Sequence, residues 1–251
     1  MCNGSDVVFT FDGTFDGFLC VVYYSVKNRV RPIDICNSEK IQLRMDSSVK
    51  FIPTETAFSE KVRVSILEKM GYDGFKRTYY SFLSKENDGY MTAFTYLLYG
   101  FKYGKHTHEF MSVPDINRAY KLERSVSHEA DRMKGFLRFS VMENGVEYAP
   151  MEPDNDILSL VMPHFADRLK NIPFVIHDIG RKKAGVYANG KWFVTEAEDL
   201  TLPDTTSDEE TYRELWKSFY NSICIKERTN LKLQTSLMPT KYRKHMTEHM
   251  L

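Results

Sequence analysis

Two hydrophobic periods run through this chain, one near 3.6 residues and one of two, and the places where they switch mark the elements it predicts. Val7 to Phe11 is a short apolar run closed by Asp12-Gly13, which predicts a strand and a turn. Asp16 stands at a helix-cap position before an apolar face of Phe18, Leu19, Val22, Tyr23 and Val26. Residues 30–53 hold Pro32, Pro53 and short apolar runs, which predicts short strands or extended loops. Phe58, Val62, Ile66 and Met70 then recur every four residues, and Gly71 ends that helix. Helices follow near 73–84 and 89–103, the second apolar on most sides and therefore central to a core. Ser112 and Asp115 have capping-box spacing around Pro114, so a long helix is expected over 114–134 with Gly135 closing it.

Beyond Gly135 the period becomes two. Leu137, Phe139 and Val141 alternate with Arg138 and Ser140, and Asn144-Gly145 leads into Val146-Glu-Tyr-Ala, which predicts a hairpin with a type I′ turn. A helix at 156–170 separates this from a second β section: Phe174 to Ile179, a Gly180–Gly185 loop, Val186 to Ala188, Asn189-Gly190 and Trp192 to Val194. Residues 196–210 hold seven acidic side chains and no Lys or Arg, a solvated connection that ends in a capping box, Ser207-Asp-Glu-Glu210. The last long helix carries Tyr212, Leu215, Trp216, Phe219, Tyr220 and Ile223 as one apolar stripe. These elements predict an α+β fold, with helices packed on an antiparallel sheet of about four or five strands. The chain reads as a single domain over 1–251, with a helical part over 55–134, a β-rich part over 135–195 and C-terminal helices over 207–250.

Composition changes this picture little. The 251 residues are enough to bury a core, and seventeen Phe with fifteen Tyr argue against disorder. Lys+Arg and Asp+Glu both number 34, so a wholly basic nucleic-acid binder is excluded and a local basic face is not. The opening lacks a basic start followed by an apolar run, and no stretch approaches a membrane span of about 18 apolar residues, so neither a signal peptide nor a membrane contact is expected. Cys2, Cys20, Cys36 and Cys224 form no C-x-x-C pair; Cys20 and Cys224 lie in apolar helical patterns as free thiols, which suits a reducing cytoplasm.

Three cationic stretches stand out. From Ser222 to Leu251 the bases Lys226, Arg228, Lys232, Lys241, Arg243 and Lys244 outnumber Glu227 and Glu248, with Asn230, Gln234 and Tyr242 interleaved. Cations beside amides and an aromatic ring suit phosphates and stacked bases, although a local basic excess is more often a solvated surface. Arg181, Lys182 and Lys183 stand between two glycines at a hairpin tip, where they either reach a phosphate backbone or blunt a sheet edge. Arg132, Lys134 and Arg138 crowd a helix–strand junction with Glu129, either as ion pairs or as a polar pocket.

Catalytic chemistry has weaker signals. His164 and Arg168 lie one helical turn apart, and His177-Asp178 end a strand near Arg181. If these meet, His164 with Asp178 forms a proton-transfer pair, with Glu129 nearby; a buried hydrogen-bonded His is the blander account. No metal site is expected. His128-Glu129 lacks the second His of a zinc-protease helix, His106-x-His108 has no matching pair, and Glu152, Asp154 and Asp156 suit a helix start better than a cation. No cofactor-binding glycine loop is present, and no cofactor is expected.

Five stretches in order carry a resemblance: Phe11 to Cys20, Arg132-Met-Lys-Gly-Phe-Leu-Arg-Phe139, Tyr148-Ala-Pro-Met-Glu-Pro153, Pro163-His-Phe-Ala-Asp-Arg168, and Ile225-Lys-Glu-Arg-Thr-Asn230 with Met238-Pro239. They resemble a bacterial family described as proteins of DNA metabolism or DNA repair. Its members are encoded beside a radical SAM protein similar to spore photoproduct lyase, and a related domain is fused to uracil-DNA glycosylase-like domains. The resemblance carries over no catalytic residue. The sequence also departs from that family at Asp131, where a His is common, and at Arg243, where an aromatic usually follows Tyr. It implies a nucleic-acid-binding accessory protein in DNA repair or DNA/nucleotide modification, with DNA and a radical SAM protein as partners. Two alternatives stand beside it: an enzyme using the His164, Asp178 and Glu129 pocket, and an interaction partner with an apolar patch in the Tyr-rich 72–103 stretch.

Overall fold

The computed structural model describes residues 7–40, 48–198, 200, 203–223 and 230–249. The chain divides into two compact units, Met1–Ser127 and His128–Leu251.

The first unit begins with a three-stranded sheet ordered β2-β1-β3, where β1 is Val7–Phe11, β2 Asp34–Asn37 and β3 Ser48–Phe51. All its pairings are parallel, so this is a second sheet of a type that the antiparallel expectation did not include. Helix α1, Phe15–Asn28, carries the chain from β1 back to the start of β2, and that return is what parallel neighbours require. It buries Phe18, Leu19 and Val22 with Phe9 and Phe11 of β1. Its cap is Thr14 rather than Asp16: the Thr14 hydroxyl accepts from Gly17 N at 3.0 Å, while Asp16 in the first turn pairs with Arg63 at 2.6 Å. Cys20 is buried as a free thiol; Cys2 and Cys224 lie outside the described residues.

Helix α2, Thr56–Phe82, is broken where expected, because Gly71 adopts φ 73°, a conformation open to glycine. Val62, Ile66 and Met70 are buried and Phe58 is half-buried. Helix α3, Gly89–Tyr103, buries Ala93, Phe94, Tyr96 and Leu97, so the apolar 89–103 run is core. Of the large apolar side chains in 72–103, Tyr72 is the one exposed. Helix α4, Pro114–Phe136, continues through Gly135 and ends one residue later.

The second unit holds a five-stranded sheet ordered β4-β5-β6-β7-β8. These strands are Ser140–Val141, Glu147–Met151, Phe174–Asp178, Lys183–Ala188 and Lys191–Glu196. The sheet is mixed rather than antiparallel: β5 and β6 run parallel and the other pairs antiparallel. Helix α5, Leu158–Arg168, lies between β5 and β6 in sequence and is the crossover that parallel pairing needs. It packs so closely that a Cβ on Gly185 of β7 would stand 2.4 Å from Met162 Sδ.

The Asn144-Gly145 hairpin forms with a different turn. Gly145 N donates to Met142 O at 2.8 Å and Met142 N to Val146 O at 3.0 Å, and only Gly145 of the pair has positive φ. That is a three-residue turn with a glycine bulge, not type I′. Leu137 and Phe139 precede the short β4; Phe139 packs instead on the rings of Phe165 and Phe174, at 5.0 and 5.7 Å. The type I′ signature falls at Asn189-Gly190, with φ 52° and 77°, between β7 and β8. The expected Gly180–Gly185 loop is shorter, because Lys183, Ala184 and Gly185 belong to β7.

Helix α6, Ser207–Ile223, is amphipathic as expected but turns its apolar stripe outward: Tyr212, Leu215, Trp216, Phe219 and Ile223 are exposed. Tyr220 of the stripe is half-buried, its ring 6.1 Å from that of His249, and the polar flank makes further attachments. Buried Glu209 accepts from Val141 N at 3.1 Å and from Arg213 at 3.0 Å, and Arg213 donates to Ser140 Oγ at 2.8 Å. Short helices α7, Leu231–Leu237, and α8, Thr240–Arg243, complete the unit. Among the described residues no helix is long and apolar enough to cross a membrane.

Candidate functional site

The parallel strands β5 and β6 both end at Met151 and Asp178, and the loop 152–157 leaves β5 there before α5 begins. The carboxyl ends of parallel strands are where open α/β sheets place ligands, and this loop stands at such an end. It is held from three directions. Buried Glu129, near the end of α4, accepts from Asp154 N at 2.7 Å, Asn155 N at 2.8 Å and Asn155 Nδ2 at 2.6 Å, and also from the Tyr242 hydroxyl. Arg181, just past β6, donates to Pro153 O at 3.0 Å and to Asp154 O, while holding Asp178 at 3.0 Å. From the C-terminal side Lys241 pairs with Asp154, Lys244 with Glu152 at 2.7 Å, and His245 Nε2 meets Glu152 at 3.0 Å. Lys183 of β7 reaches Asp156 at 3.4 Å.

The electrostatics follow from this arrangement. Burial pushes the Asp178 carboxyl up, against the pull of the Arg181 guanidinium. The Lys244 hydrogen bond, aided by His245, holds Glu152 below the usual carboxylate range. Burial and the hydrogen bond to Glu129 both push the Tyr242 phenol up. Burial alone would raise Glu248, but Arg138, which donates to it at 2.6 Å, and Trp216 at 3.1 Å bring it below its ordinary value.

Residues 87–248 match a family described as a domain of unknown function, DUF4130. The chain belongs to that family. No curated protein and no solved structure matches it. The DUF4130 segment contains the whole 152–157 loop, Glu129, Arg181 and the Lys241–His245 clamp, and it ends at Glu248, the partner of Arg138.

Within the DUF4130 segment the three catalytic candidates do not form one group. Glu129 and Asp178 are both buried; Glu129 holds the loop at 154–155 directly and Asp178 holds Arg181, which bonds the loop, so each is occupied by donors of the protein itself. His164 is exposed on α5 with its ring against Phe165 at 4.9 Å, and no hydrogen bond joins it to Asp178. A histidine of β6 itself has a polar partner: His177 Nδ1 lies 2.9 Å from the Tyr148 hydroxyl, and burial lowers its pKa. Sequence reasoning missed that pair because it exists only through the parallel β5–β6 register.

Among the described candidate cations, Arg181, Lys241 and Lys244 meet at the 152–157 loop, and most of the set carry a carboxylate. Lys134 pairs with Asp131, Arg138 with Glu248, Arg181 with Asp178 and Lys182 with Glu198, in addition to the loop pairs of Lys241 and Lys244. Arg243 donates to Met238 O at 3.2 Å and Thr235 Oγ1 at 3.3 Å, and Asn230 caps α7 by accepting from Leu233 N at 2.9 Å. Arg132, Arg168 and Lys232 are exposed. Lys226 and Arg228 lie outside the described residues. Residues 128–251 hold nineteen acidic and seventeen basic side chains, so any positive patch in this unit is local. Glu152, Asp154 and Asp156 each meet a cation of the chain, and among the described residues no group of three or more His, Cys, Asp or Glu is placed to hold a metal ion.

Proposed function

We propose that this DUF4130 protein is a nucleic-acid-binding accessory factor in DNA repair or DNA/nucleotide modification, working beside a radical SAM enzyme. The accessory role is supported by the occupied state of Glu129 and Asp178, which leaves neither carboxylate free to move a substrate proton. The observation that carries the binding role is the meeting of Lys241 and Lys244 with Arg181 and Lys183 around one loop, from segments far apart in the chain. The ammonium groups of Lys241 and Lys244 sit in exposed pairs, which contribute little stability and exchange readily for a phosphate. The carboxylates opposite them limit the affinity, so binding is expected to be modest and strongly salt-dependent.

Gel-shift and filter-binding titrations of the full chain against single-stranded and double-stranded DNA and RNA, over a salt series, test this reading. Affinity should fall steeply with salt. Lys241→Glu with Lys244→Glu should weaken binding and flatten the slope by about 0.7–0.9 for each phosphate no longer neutralised. No binding at low salt would remove the reading.

A protein-partner role is the second reading, and α6 favours it. Tyr212, Leu215, Phe219 and Ile223 are exposed beside Asp208, Glu210 and Glu214, a surface suited to a basic amphipathic segment. Co-purification with the radical SAM partner, abolished by Leu215→Asp with Phe219→Asp, tests that reading.

A further inference from the structure

Strand β8 ends the five-stranded sheet, and it lacks the features that usually protect an edge. Edge strands are commonly shortened, bulged, or given Lys or Pro at their centre. β8 is six residues long and regular, and only its ends are charged: Lys191 and Glu196 flank Trp192, Phe193, Val194 and Thr195. Trp192, Phe193 and Val194 are all exposed, at 38, 57 and 40%.

The hydrogen-bond phase shows which backbone groups are unused. Asn189-Gly190 is a two-residue loop joining the facing residues Ala188 and Lys191, and further along Ala197 N donates to Lys182 O at 2.7 Å. The odd-numbered residues 191, 193, 195 and 197 therefore bond toward β7. The N–H and C=O groups of Trp192, Val194 and Glu196 point away from the sheet, and no described strand pairs with them.

We infer that β8 pairs antiparallel with β8 of a second copy of this chain, about a two-fold axis through Phe193. In this register Trp192 lies across from the second copy's Val194 and exchanges both backbone hydrogen bonds with it, and symmetry repeats the pair, giving four bonds in all. The side chains match. Trp192 meets Val194, a favourable aromatic–β-branched pair, on the α5 face, and the two Phe193 rings meet on the other. The hydrogen-bond phase selects the direction, because only antiparallel pairing sets the outward groups of Trp192 and Val194 directly opposite one another. Charge is compatible with it, since Lys191 faces the second copy's Thr195 and Glu196 its Gly190, so no like charges meet. A closed two-fold pair also uses up both edges, which open-ended stacking would not.

Analytical ultracentrifugation and light scattering of the full chain test the inference, together with two variants. The wild type should be a dimer. Val194→Pro removes an outward N–H that β7 does not use, so it should keep the circular dichroism spectrum, lose any concentration dependence of its melting temperature and run as a monomer. Phe193→Cys puts two thiols on a non-hydrogen-bonded pair whose Cα atoms stand about 4.5 Å apart, within disulfide range. That variant should form a disulfide between the two copies under mild oxidation, and Thr195→Cys, which faces Lys191, should not. A monomeric wild type, a dimer that survives Val194→Pro, or a Phe193→Cys dimer that fails to crosslink would each overturn the inference. If Val194→Pro does not fold, the crosslinking of Phe193→Cys decides. No nucleic acid enters these measurements, so they bear on the edge alone.

Discussion

The phenol of Tyr242 in α8 donates to the buried carboxylate of Glu129 near the end of α4, 113 residues earlier in the chain. This bond closes a network in which Glu129 also organises the turn at Asp154 and Asn155, and through it the C-terminal helix is tied to the carboxyl ends of β5 and β6.

Glu129→Ala should therefore destabilise the His128–Leu251 unit by about 3 kcal/mol, because it leaves several buried donors without an acceptor. Urea denaturation followed by near-ultraviolet circular dichroism measures this. A cost below about 1 kcal/mol would mean that water takes over the role of the carboxylate.

Tyr242→Phe removes one hydrogen bond to a charged acceptor and should cost about 1.5–2 kcal/mol, with faster amide exchange over 240–249. The phenol also gives a pH signature. Its pKa is raised in the folded chain by burial and by Glu129, so its contribution is complete below the ordinary value of 10.0 and is lost as pH rises beyond it. The stability gap between wild type and Tyr242→Phe should accordingly narrow in alkali.

Acid should loosen the same segment from another side. Glu152 and Glu248 both titrate below their ordinary 4.5 in the folded chain. Their contribution is present above that value and is lost as pH falls through the lowered ones. The stability difference between wild type and Glu248→Gln should be constant at neutral pH and shrink below about pH 4.5, as read from thermal melts across the acid range.

Gly190→Ala should cost about 1 kcal/mol, since Gly190 holds φ 77° in the type I′ turn and a Cβ is strained there although nothing crowds it. Amide exchange should rise in β7 and β8 and stay unchanged in β5. His164→Ala, at an exposed position, should alter stability by less than about 0.5 kcal/mol, as read from urea denaturation.

Much of the fold was legible in local pattern. The bend at Gly71, α3 over 89–103, and the hairpin turn at Asn189-Gly190 follow from residues within a few positions of one another. The strand direction was not legible. The helix at 156–170 was expected, yet a helix between two strands marks them as parallel only if they are neighbours, and adjacency is not written locally. The site divided the same way. Glu129, Asp178, Arg181 and the C-terminal lysines stand out by residue type and position, whereas their mutual occupation depends on pairings up to 113 residues apart. The α6 stripe shows the limit of periodicity: it announces an apolar face, while burial depends on whether another surface lies against that face.

Helices, turns and the division between apolar and polar faces came from short-range physics, in which each residue's φ/ψ preferences and period act on its immediate neighbours. The parallel pairing of β5 with β6, the carboxylates that meet Arg181, Lys241 and Lys244 and the open edge of β8 came from the packed chain alone. Strand partners and ion pairs are chosen by the chain's closure over long separations. That closure is governed by which apolar surfaces are buried together, and it leaves no local trace in the sequence.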